Sequence, residues 1–205
     1  MSELNDVDEG IVTIMVDTNW WMLPLRDDDQ DASIERTIEA AQVDEEAARG
    51  LRYGLKAVNG IARSLPAGER HNYALVRTPE SGLVEALLST RVSRVGPTAY
   101  DDYLDVVQNT PAAPDVEVLN RRIIEVTMPR GRGILVHDLT LALGQDGVPD
   151  PALERAFLAL FVADTAALIE FTLITQDLAL FEDIESYLME FAAGDNPAVP
   201  GEIKL

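Results

Sequence analysis

Four apolar segments follow one another between residues 117 and 175 of this 205-residue chain, and they decide its fold class. They read EVLNRRIIEVTM (117–128), GILVHDLTLAL (133–143), ERAFLALFVA (154–163) and AALIEFTLIT (166–175). Each segment is rich in aliphatic and β-branched residues, and turn-forming residues separate it from the next. Connections this short can join antiparallel neighbours, whereas a parallel pair needs a crossover of about a dozen residues or more. The pattern therefore predicts four sequential strands of one mostly antiparallel sheet.

An amphipathic segment follows the last of these strands. Its large apolar residues recur at the spacing of one helical face: Leu180, Phe181, Ile184, Tyr187, Leu188 and Phe191. Gly194 comes next and is typical of a helix C-terminus. The segment predicts a closing helix that covers the sheet. Strands covered by helices in this way indicate an α+β fold, a mostly antiparallel sheet between helical layers.

The first half of the chain predicts a further strand and two helices. Ile11–Val16 is a short apolar run that favours a strand. One helix is expected to begin near Asp31 or Ser33, and a second near Asp44, where acidic residues suit the helix dipole. Glycines at 50 and 54 in the second helix allow another backbone to come close, so this helix is expected to lie tightly on the sheet.

A hairpin and a third helix are predicted next. Tyr73–Arg77 and Gly82–Val95 read as the two arms of the hairpin. The second arm alternates apolar and polar residues and predicts a strand with one buried face. Pro97 suits the first turn of a short helix, which a proline-containing linker joins to the strand-rich third. Ala156–Ala163 is apolar on both faces, which predicts a central strand with helices on both sides.

Composition excludes several functional classes. The chain has 36 acidic and 16 basic residues and a net charge of −20, and residues 1–50 hold 14 of the acids. No basic stripe exists to bind nucleic acid, and the same charge repels anionic membranes. Cysteine is absent, so no disulfide or thiolate metal site can form. Without a signal peptide or an apolar stretch of about 18 residues, the chain is expected to be cytoplasmic.

Domain organisation is predicted to be simple. Residues 1–10 are polar and are expected to form a disordered N-terminal tail, and residues 195–205 a C-terminal tail with two prolines. Residues 11–194 are expected to form a single α+β domain, because about 100–200 residues is an ordinary domain size.

The acidic run at residues 27–31 invites a comparison with a calcium-binding loop. A loop beginning at Asp27 would have acidic residues at its first, third and fifth positions. It would need glycine at the sixth position, where Ala32 stands, and glutamate at the twelfth, where Ile38 stands. Both requirements fail, so we expect a solvated loop and no metal, and the absence of metal-ligand spacing elsewhere favours no cofactor.

Few residues are candidates for acid–base chemistry. His71 lies in polar sequence and is expected to be exposed, whereas His137 falls on the more apolar face of its strand and is expected to be partly buried and hydrogen-bonded. Asp138 points to the opposite face, so the two neighbours cannot act as a dyad. Glu170 is expected to form a cross-strand ion pair with Arg91, Arg121 or Arg122. The sequence therefore predicts no catalytic residue.

The adjacent Trp20 and Trp21 are the only tryptophans of the chain. On a strand their rings point to opposite faces, so one is expected in the core and one near the surface unless both pack under the N-terminal helices. An exposed tryptophan beside Met22 and Pro24 is a good anchor for a partner protein. These four residues are the predicted partner contact.

Two longer segments resemble the C-terminal half of an uncharacterised actinobacterial family. They are VEVLNRRIIEVTMPRGRGILVHD (116–138) and FLALFVADTAALIEFTLITQDLALFEDIESYLMEFAAG (157–194). The family's leucine-proline-x-glycine turn corresponds to Met128-Pro129-Arg130-Gly131, and its F-T-x-x-D strand end to Phe171-Thr172 followed by Asp177. His137 stands where the family often has arginine. TNWWMLPL (18–25) is similar to a tryptophan-proline strand near the start of such proteins.

This resemblance implies a PsbP-like α/β/α sandwich, a fold that LpqN-type lipoproteins also resemble. It implies a binding role and carries over no catalytic residue. Membrane anchoring is not carried over, because this chain lacks the lipoprotein signal and its cysteine.

Three functions remain open at this point. The leading hypothesis is a non-catalytic protein-binding or accessory domain, with homo-oligomerisation left open. The first alternative is an acidic inhibitor or immunity-type protein that neutralises a basic partner. The second is an enzyme or small-molecule binder with a pocket between sheet and helix that holds His137 or Glu170.

Overall fold

The computed structural model of the chain describes residues 13–15, 17–23, 30–66, 70–96, 98–111, 116–142, 151–194 and 202–204. The helices in these ranges are α1 (Gln30–Ala41), α2 (Glu45–Ser64), α3 (Ala99–Asn109) and α4 (Ile184–Ala193), with one 3₁₀ turn at Pro79–Ser81. The strands are β1 (Thr13–Met15), β2 (Trp20–Met22), β3 (Arg70–Leu75), β4 (Ala86–Arg94), β5 (Val116–Met128), β6 (Gly131–Ala142), β7 (Leu153–Val162), β8 (Ala167–Thr175) and β9 (Glu202–Lys204). None of these helices is long and apolar enough to cross a membrane.

Seven strands form one antiparallel sheet in the order β2-β3-β4-β8-β7-β6-β5. The four predicted sequential strands are β5 to β8, and each pairs antiparallel with the next, so this prediction is confirmed. The pairing of β4 with β8, from Ala86 opposite Thr175 to Arg94 opposite Ala167, joins the two halves of the chain. The fold is therefore α+β, as predicted.

A second, two-stranded sheet pairs β1 with β9. The predicted first strand at residues 11–16 is thus present at Thr13–Met15. Residues 195–205 were expected to form a tail, but three of them, Glu202–Lys204, form β9. The predicted tail at residues 1–10 lies outside the described residues, as do the acidic residues 27–29.

Helices cover both faces of the large sheet. On one face, Ile184, Leu188 and Phe191 of α4 pack on a core that includes Leu135, Leu158 and Phe171. The opposite face carries α1 and α2 at one end, over Ala74, Leu87 and Ile174, and α3 at the other, over Val136 and Ala159. Alternation along each strand produces both cores, since neighbouring residues point to opposite faces. The sheet therefore lies between two helical layers.

The prediction of one buried face for β4 is wrong. Leu87 is buried against α2 on one face, and Leu88 is buried against α4 on the other. Ser89 is also fully buried. The alternation of apolar and polar residues suggested a solvated face, but a helix covers that face.

The N-terminus of α2 forms as predicted, because the Asp44 side chain accepts a hydrogen bond of 2.9 Å from the Ala47 amide. The glycines of α2 do permit close approach, but to the β3–β4 connection and not to a strand. A Cβ atom on Gly50 would lie 2.5 Å from the Gly82 carbonyl oxygen, and one on Gly54 would lie 2.7 Å from Val84. Tight packing of α2 thus fixes the loop that joins two central strands.

The closing helix is shorter than the sequence predicts. Asp183 caps it, accepting hydrogen bonds from the amides of Glu185 and Ser186, and Gly194 ends it with a positive φ of 80°. Leu180 and Phe181 precede the helix, so their predicted place within it is wrong. The reason is local, because the capping residue Asp183 lies within the apolar pattern and the helix begins only after it.

Truncation of one side chain inside α4 and one before it tests this boundary. Leu188 is fully buried, whereas Phe181 is only partly buried. Leu188→Ala is expected to lower the free energy of unfolding by about 2–5 kcal/mol, and Phe181→Ala by clearly less. Urea denaturation of both variants measures the difference. An equal loss in the two variants would show that Phe181 belongs to the central core.

Candidate binding site

A groove of about 510 Å³ runs along α4 beside the start of β2 and the end of β3, and we call it the α4 groove. Strand β2 supplies Trp20, β3 supplies Leu75, and the turn before α4 supplies Leu180 and Phe181. Tyr187 on the first turns of α4 completes an apolar floor. The floor therefore depends on the antiparallel pairing of β2 with β3 and on the capping of α4 at Asp183.

Aromatic side chains fix the shape of the floor. The indole Nε1–H of Trp20, a residue only 6% exposed, donates a hydrogen bond of 3.1 Å to the Tyr187 hydroxyl oxygen. The ring centroids of Phe181 and Tyr187 are 4.7 Å apart. Burial raises the pKa of Tyr187, so its hydroxyl is protonated at neutral pH. Since its oxygen already accepts from Trp20, its own proton can be donated to a ligand.

Carboxylates form the rim of the groove: Asp17, Glu182, Asp183 and Glu190. Within the described ranges, none of the four has a lysine, arginine or histidine nitrogen within 4.0 Å. Hydrogen bonds from the hydroxyl and amide of Ser186 lower the pKa of Asp183, which stays ionised. The lining arginine, Arg77, is bound by Glu85 at 2.6 Å. The groove is consequently negative over an aromatic floor.

A second pocket of about 380 Å³ shares Phe181, Glu182 and Asp183 with the groove and contains His137. The His137 Nε2 atom lies 2.8 Å from Glu154, and its Nδ1 atom lies 2.9 Å from Glu185. A neutral imidazole has one N–H, so only the doubly protonated ring can donate to both carboxylates. Arg122 binds the other oxygen of Glu185 at 2.8 Å.

This arrangement does not resemble a metal centre. The two carboxylates contact opposite nitrogens of the His137 ring, so the three side chains do not converge on one point. Across the described part of the chain, no group of three histidine, cysteine or acidic side chains could hold a metal ion. The cluster instead joins β6, β7 and α4 by the two hydrogen-bond contacts of His137.

The histidine predictions have mixed outcomes. His137 is partly buried and hydrogen-bonded on the α4 face, as predicted. Its neighbour Asp138 faces the other layer and accepts a hydrogen bond of 2.7 Å from Arg121. His137 and Asp138 therefore do not form a dyad, as predicted. His71 was expected in an exposed loop, but it lies in β3 and is partly buried. Its polar neighbours indicated a loop, but the strand already begins at Arg70.

Glu170 forms the predicted cross-strand ion pair. It is buried directly opposite Arg91 and pairs with it, and the Tyr103 hydroxyl donates a hydrogen bond of 2.6 Å to its other oxygen. Burial and the hydrogen bond to Glu170 raise the pKa of Tyr103. These contacts join β4, β8 and α3, so the side chain has a structural role.

The predicted partner-contact residues divide between several environments. Trp20 is buried in the groove floor, and Trp21 points to the opposite face and packs on the α1–α2 core. Met22 is 66% exposed, and Pro24 lies outside the described residues. The rings do point to opposite faces, as predicted. Trp20, however, forms part of the groove floor and does not protrude.

Sequence reasoning missed the rim of the groove. The most conspicuous acidic run of the sequence lies at residues 27–31, whereas the rim is formed by Asp17 and the acidic residues around α4. Glu182, Ser186 and Glu190 are spaced four residues apart, and this polar stripe beside the apolar stripe of α4 was the available signal.

No protein-family model matches this chain, and no curated protein matches its sequence. The resemblance to PsbP-like proteins therefore stays a prediction.

Proposed function

We propose that this chain is a non-catalytic protein-binding domain that holds a positively charged segment of a partner protein in the α4 groove. One observation carries the proposal: an aromatic floor lies under a rim of four carboxylates that have no basic partner in the described residues. The two helical layers around one sheet also support the PsbP-like assignment, which is part of the same proposal.

The groove suits the chemistry of an arginine or lysine side chain. Such a side chain has a long apolar stem, which would pack on Trp20 and Phe181, and a cationic head, which would reach Glu182 or Glu190. Aromatic faces also attract cations, and a guanidinium stacks on them well. Tyr187 would donate its hydroxyl proton to a backbone carbonyl of the segment.

Charge outside the groove supports the same partner. The chain has a net charge of −20, so its electric field attracts a basic segment and repels an acidic one before contact. If the partner's own activity depends on the captured segment, binding would inhibit it, as in the acidic-inhibitor alternative.

The proposal assigns no catalytic step. Both nitrogens of His137 are engaged by carboxylates, Asp138 lies on the other face of the sheet, and Glu170 is held by Arg91 and Tyr103. A general base needs a free lone pair within reach of a substrate, and these groups are already engaged.

A small organic cation is the second candidate ligand. The volume of about 510 Å³ lies within the range of about 300–1,000 Å³ that small-molecule pockets occupy. A polyamine would meet the same carboxylates and aromatic faces as an arginine side chain, so the two candidates are separated by affinity and not by site.

Titration calorimetry with a hexa-arginine peptide tests the proposal, with spermidine as the small cation and a hexa-glutamine peptide as the neutral control. Glu182→Gln/Glu190→Gln is expected to weaken hexa-arginine binding about tenfold, because each exposed ion pair contributes up to about 1 kcal/mol. Tighter binding of spermidine than of the peptide would favour the second candidate.

The matched control is Glu39→Gln/Glu46→Gln, which removes two exposed carboxylates from α1 and α2 on the opposite face of the sheet. This variant has the same net charge as the groove variant, and its affinity is expected to stay within about twofold of the unmodified chain. Equal weakening in both variants would show attraction by bulk charge alone and would reject the groove.

A further inference from the structure

Strand β5 is a long open edge of the large sheet. It spans Val116–Met128 and, in the described part of the chain, pairs with β6 alone. The strand at the other edge, β2, covers only Trp20–Met22. A long edge strand presents unpaired backbone N–H and C=O groups, which are a template for pairing with another strand.

The charges of β5 differ from those of the whole chain. The strand carries two acidic residues, Glu117 and Glu125, and two basic residues, Arg121 and Arg122, so it is neutral in a protein of net charge −20. A second copy of the chain is therefore not repelled at this edge as it would be elsewhere on the surface. The zero net charge of β5 therefore favours pairing of this strand with β5 of a second copy.

We propose that two copies of this chain form a homodimer by antiparallel pairing of β5 with β5 of the partner subunit, centred on Ile123. In this register Arg121 lies opposite Glu125 of the partner subunit. By symmetry, Glu125 lies opposite Arg121 of the partner subunit. Opposite charges directly across an antiparallel pair stabilise it. The two seven-stranded sheets then form one continuous sheet.

The register follows from symmetry and from the charges. A two-fold axis perpendicular to the sheet relates each face of one subunit to the same face of the partner subunit. On the C-terminal side of the bulge at Val118–Asn120, odd-numbered residues therefore lie opposite odd-numbered residues. Centres at Arg121, Arg122 or Glu125 would place a charge opposite its own copy. Among centres on β5 beyond the bulge, Ile123 is the one that opposes arginine with glutamate.

The side chains at this edge can accept the second copy. Arg121 contacts Asp138 of its own chain, and Glu125 contacts Tyr100 and Arg132, but the side chains of Arg121 and Glu125 are 29% and 56% exposed. A guanidinium has five donors and a carboxylate has about four acceptor sites, so each can make a further contact. The α4 groove lies at the β2–β3 end of the sheet, so dimerisation through β5 leaves both grooves open and does not depend on the proposed function.

Cysteine cross-linking tests the register directly, because the chain has no cysteine of its own. In Ile123→Cys the two sulfurs would face each other across the axis. Directly opposite residues have Cα atoms about 4.5–5.5 Å apart, which fits the range of about 4.4–6.8 Å for disulfides. Mild oxidation is expected to convert Ile123→Cys to a covalent dimer at least about tenfold faster than the controls.

Two controls fix the interpretation. In Ile124→Cys the opposite residue is Arg122 of the partner subunit, so its sulfurs are diagonal, with Cα atoms about 7–8 Å apart, too far to bridge. Leu119 is 48% exposed, so the cross-linking rate of Leu119→Cys measures disulfide formation by random collision of two chains. Equal cross-linking of all three variants, or faster cross-linking of Ile124→Cys, would overturn the proposed register.

Light scattering on the unmodified chain tests the homodimer without any substitution. A mass of twice the 22.4 kDa chain is expected at the concentration used for oxidation. A mass of one chain at that concentration would overturn the homodimer.

Discussion

Alanine in place of Gly131 is expected to lower the free energy of unfolding by at least about 3 kcal/mol. Gly131 begins β6 with a φ of 155°, a backbone conformation that side-chain-bearing residues rarely adopt. A Cβ atom there would lie 2.0 Å from the Phe161 carbonyl oxygen. Because Phe161 belongs to β7, which is paired with β6, relief of the clash would separate two central strands. Thermal melting is expected to shift by about 2–4 °C for each kcal/mol lost.

Gly60→Ala is the matched control for this substitution. Gly60 lies inside α2, and no atom outside its own helix lies within 4 Å of the added Cβ. Alanine is favoured over glycine inside a helix by about 0.5–1 kcal/mol, so this variant is expected to be more stable than the unmodified chain. A Gly131→Ala variant as stable as Gly60→Ala would contradict the position of the β5–β6 turn against β7.

The second large effect is expected from Asp138→Ala, with a loss of about 3 kcal/mol in the free energy of unfolding. The Asp138 side chain is 0% exposed and contacts the guanidinium groups of Arg121 and Arg155. Its removal leaves two cations, one on β5 and one on β7, without the carboxylate that lies between them on β6. Because these side chains are 29% and 37% exposed, water relieves part of the repulsion, and the loss lies at the lower end for a broken buried pair. Glu117→Ala, on the exposed face of β5, is expected to change little.

The same residue sets a pH dependence. Burial alone would raise the pKa of Asp138, but hydrogen bonds from Arg121 and Arg155 outweigh it and hold the pKa below its usual value. The stabilisation is therefore present above the unfolded pKa of about 3.9 and is lost as the pH falls through the lower folded pKa. Urea denaturation between about pH 6 and pH 3 is expected to show the unmodified chain losing its advantage over Asp138→Ala on acidification. A difference that grows as the pH falls would contradict the ion pair.

Local sequence pattern was sufficient for the elements whose partners are near in sequence. Strands β5 to β8 could be predicted because each pairs with the next across a short turn. The capping residue of α2 and the end of α4 at Gly194 were also readable, since capping is a local hydrogen-bonding problem. Alternation also indicated that Glu170 would form a cross-strand ion pair, but it left Arg91, Arg121 and Arg122 as possible partners, and the pairing of β4 with β8 selects Arg91.

Long-range pairing set the limit of prediction. The pattern of β4 could not show that α2 covers its second face, because helix packing is decided by residues that lie far away in sequence. The start of α4 was placed too early because the apolar spacing continued through Asp183, whose capping role outweighs the pattern.

The candidate site was the least predictable feature. The α4 groove brings Asp17 and Trp20 near the chain start together with Glu182 and Tyr187 near its end. The sequence marked Trp20 as a partner contact, but only the pairing of β2 with β3 shows that it forms the floor of a groove. Carboxylates that are distant in sequence become one rim through the sheet order β2-β3-β4-β8.

Fluorescence of Trp20 tests most directly whether the α4 groove is the binding site. In Trp21→Phe, the indole of Trp20 is the only tryptophan and lies in the groove floor. Titration with the hexa-arginine peptide is expected to change its emission with the midpoint found by calorimetry, and this change should weaken in the Glu182→Gln/Glu190→Gln background. In Trp20→Phe, where Trp21 faces the opposite layer, emission should stay constant. Binding heat without a change in Trp20 emission, or an equal response from Trp21, would contradict the central claim that the cationic segment enters this groove.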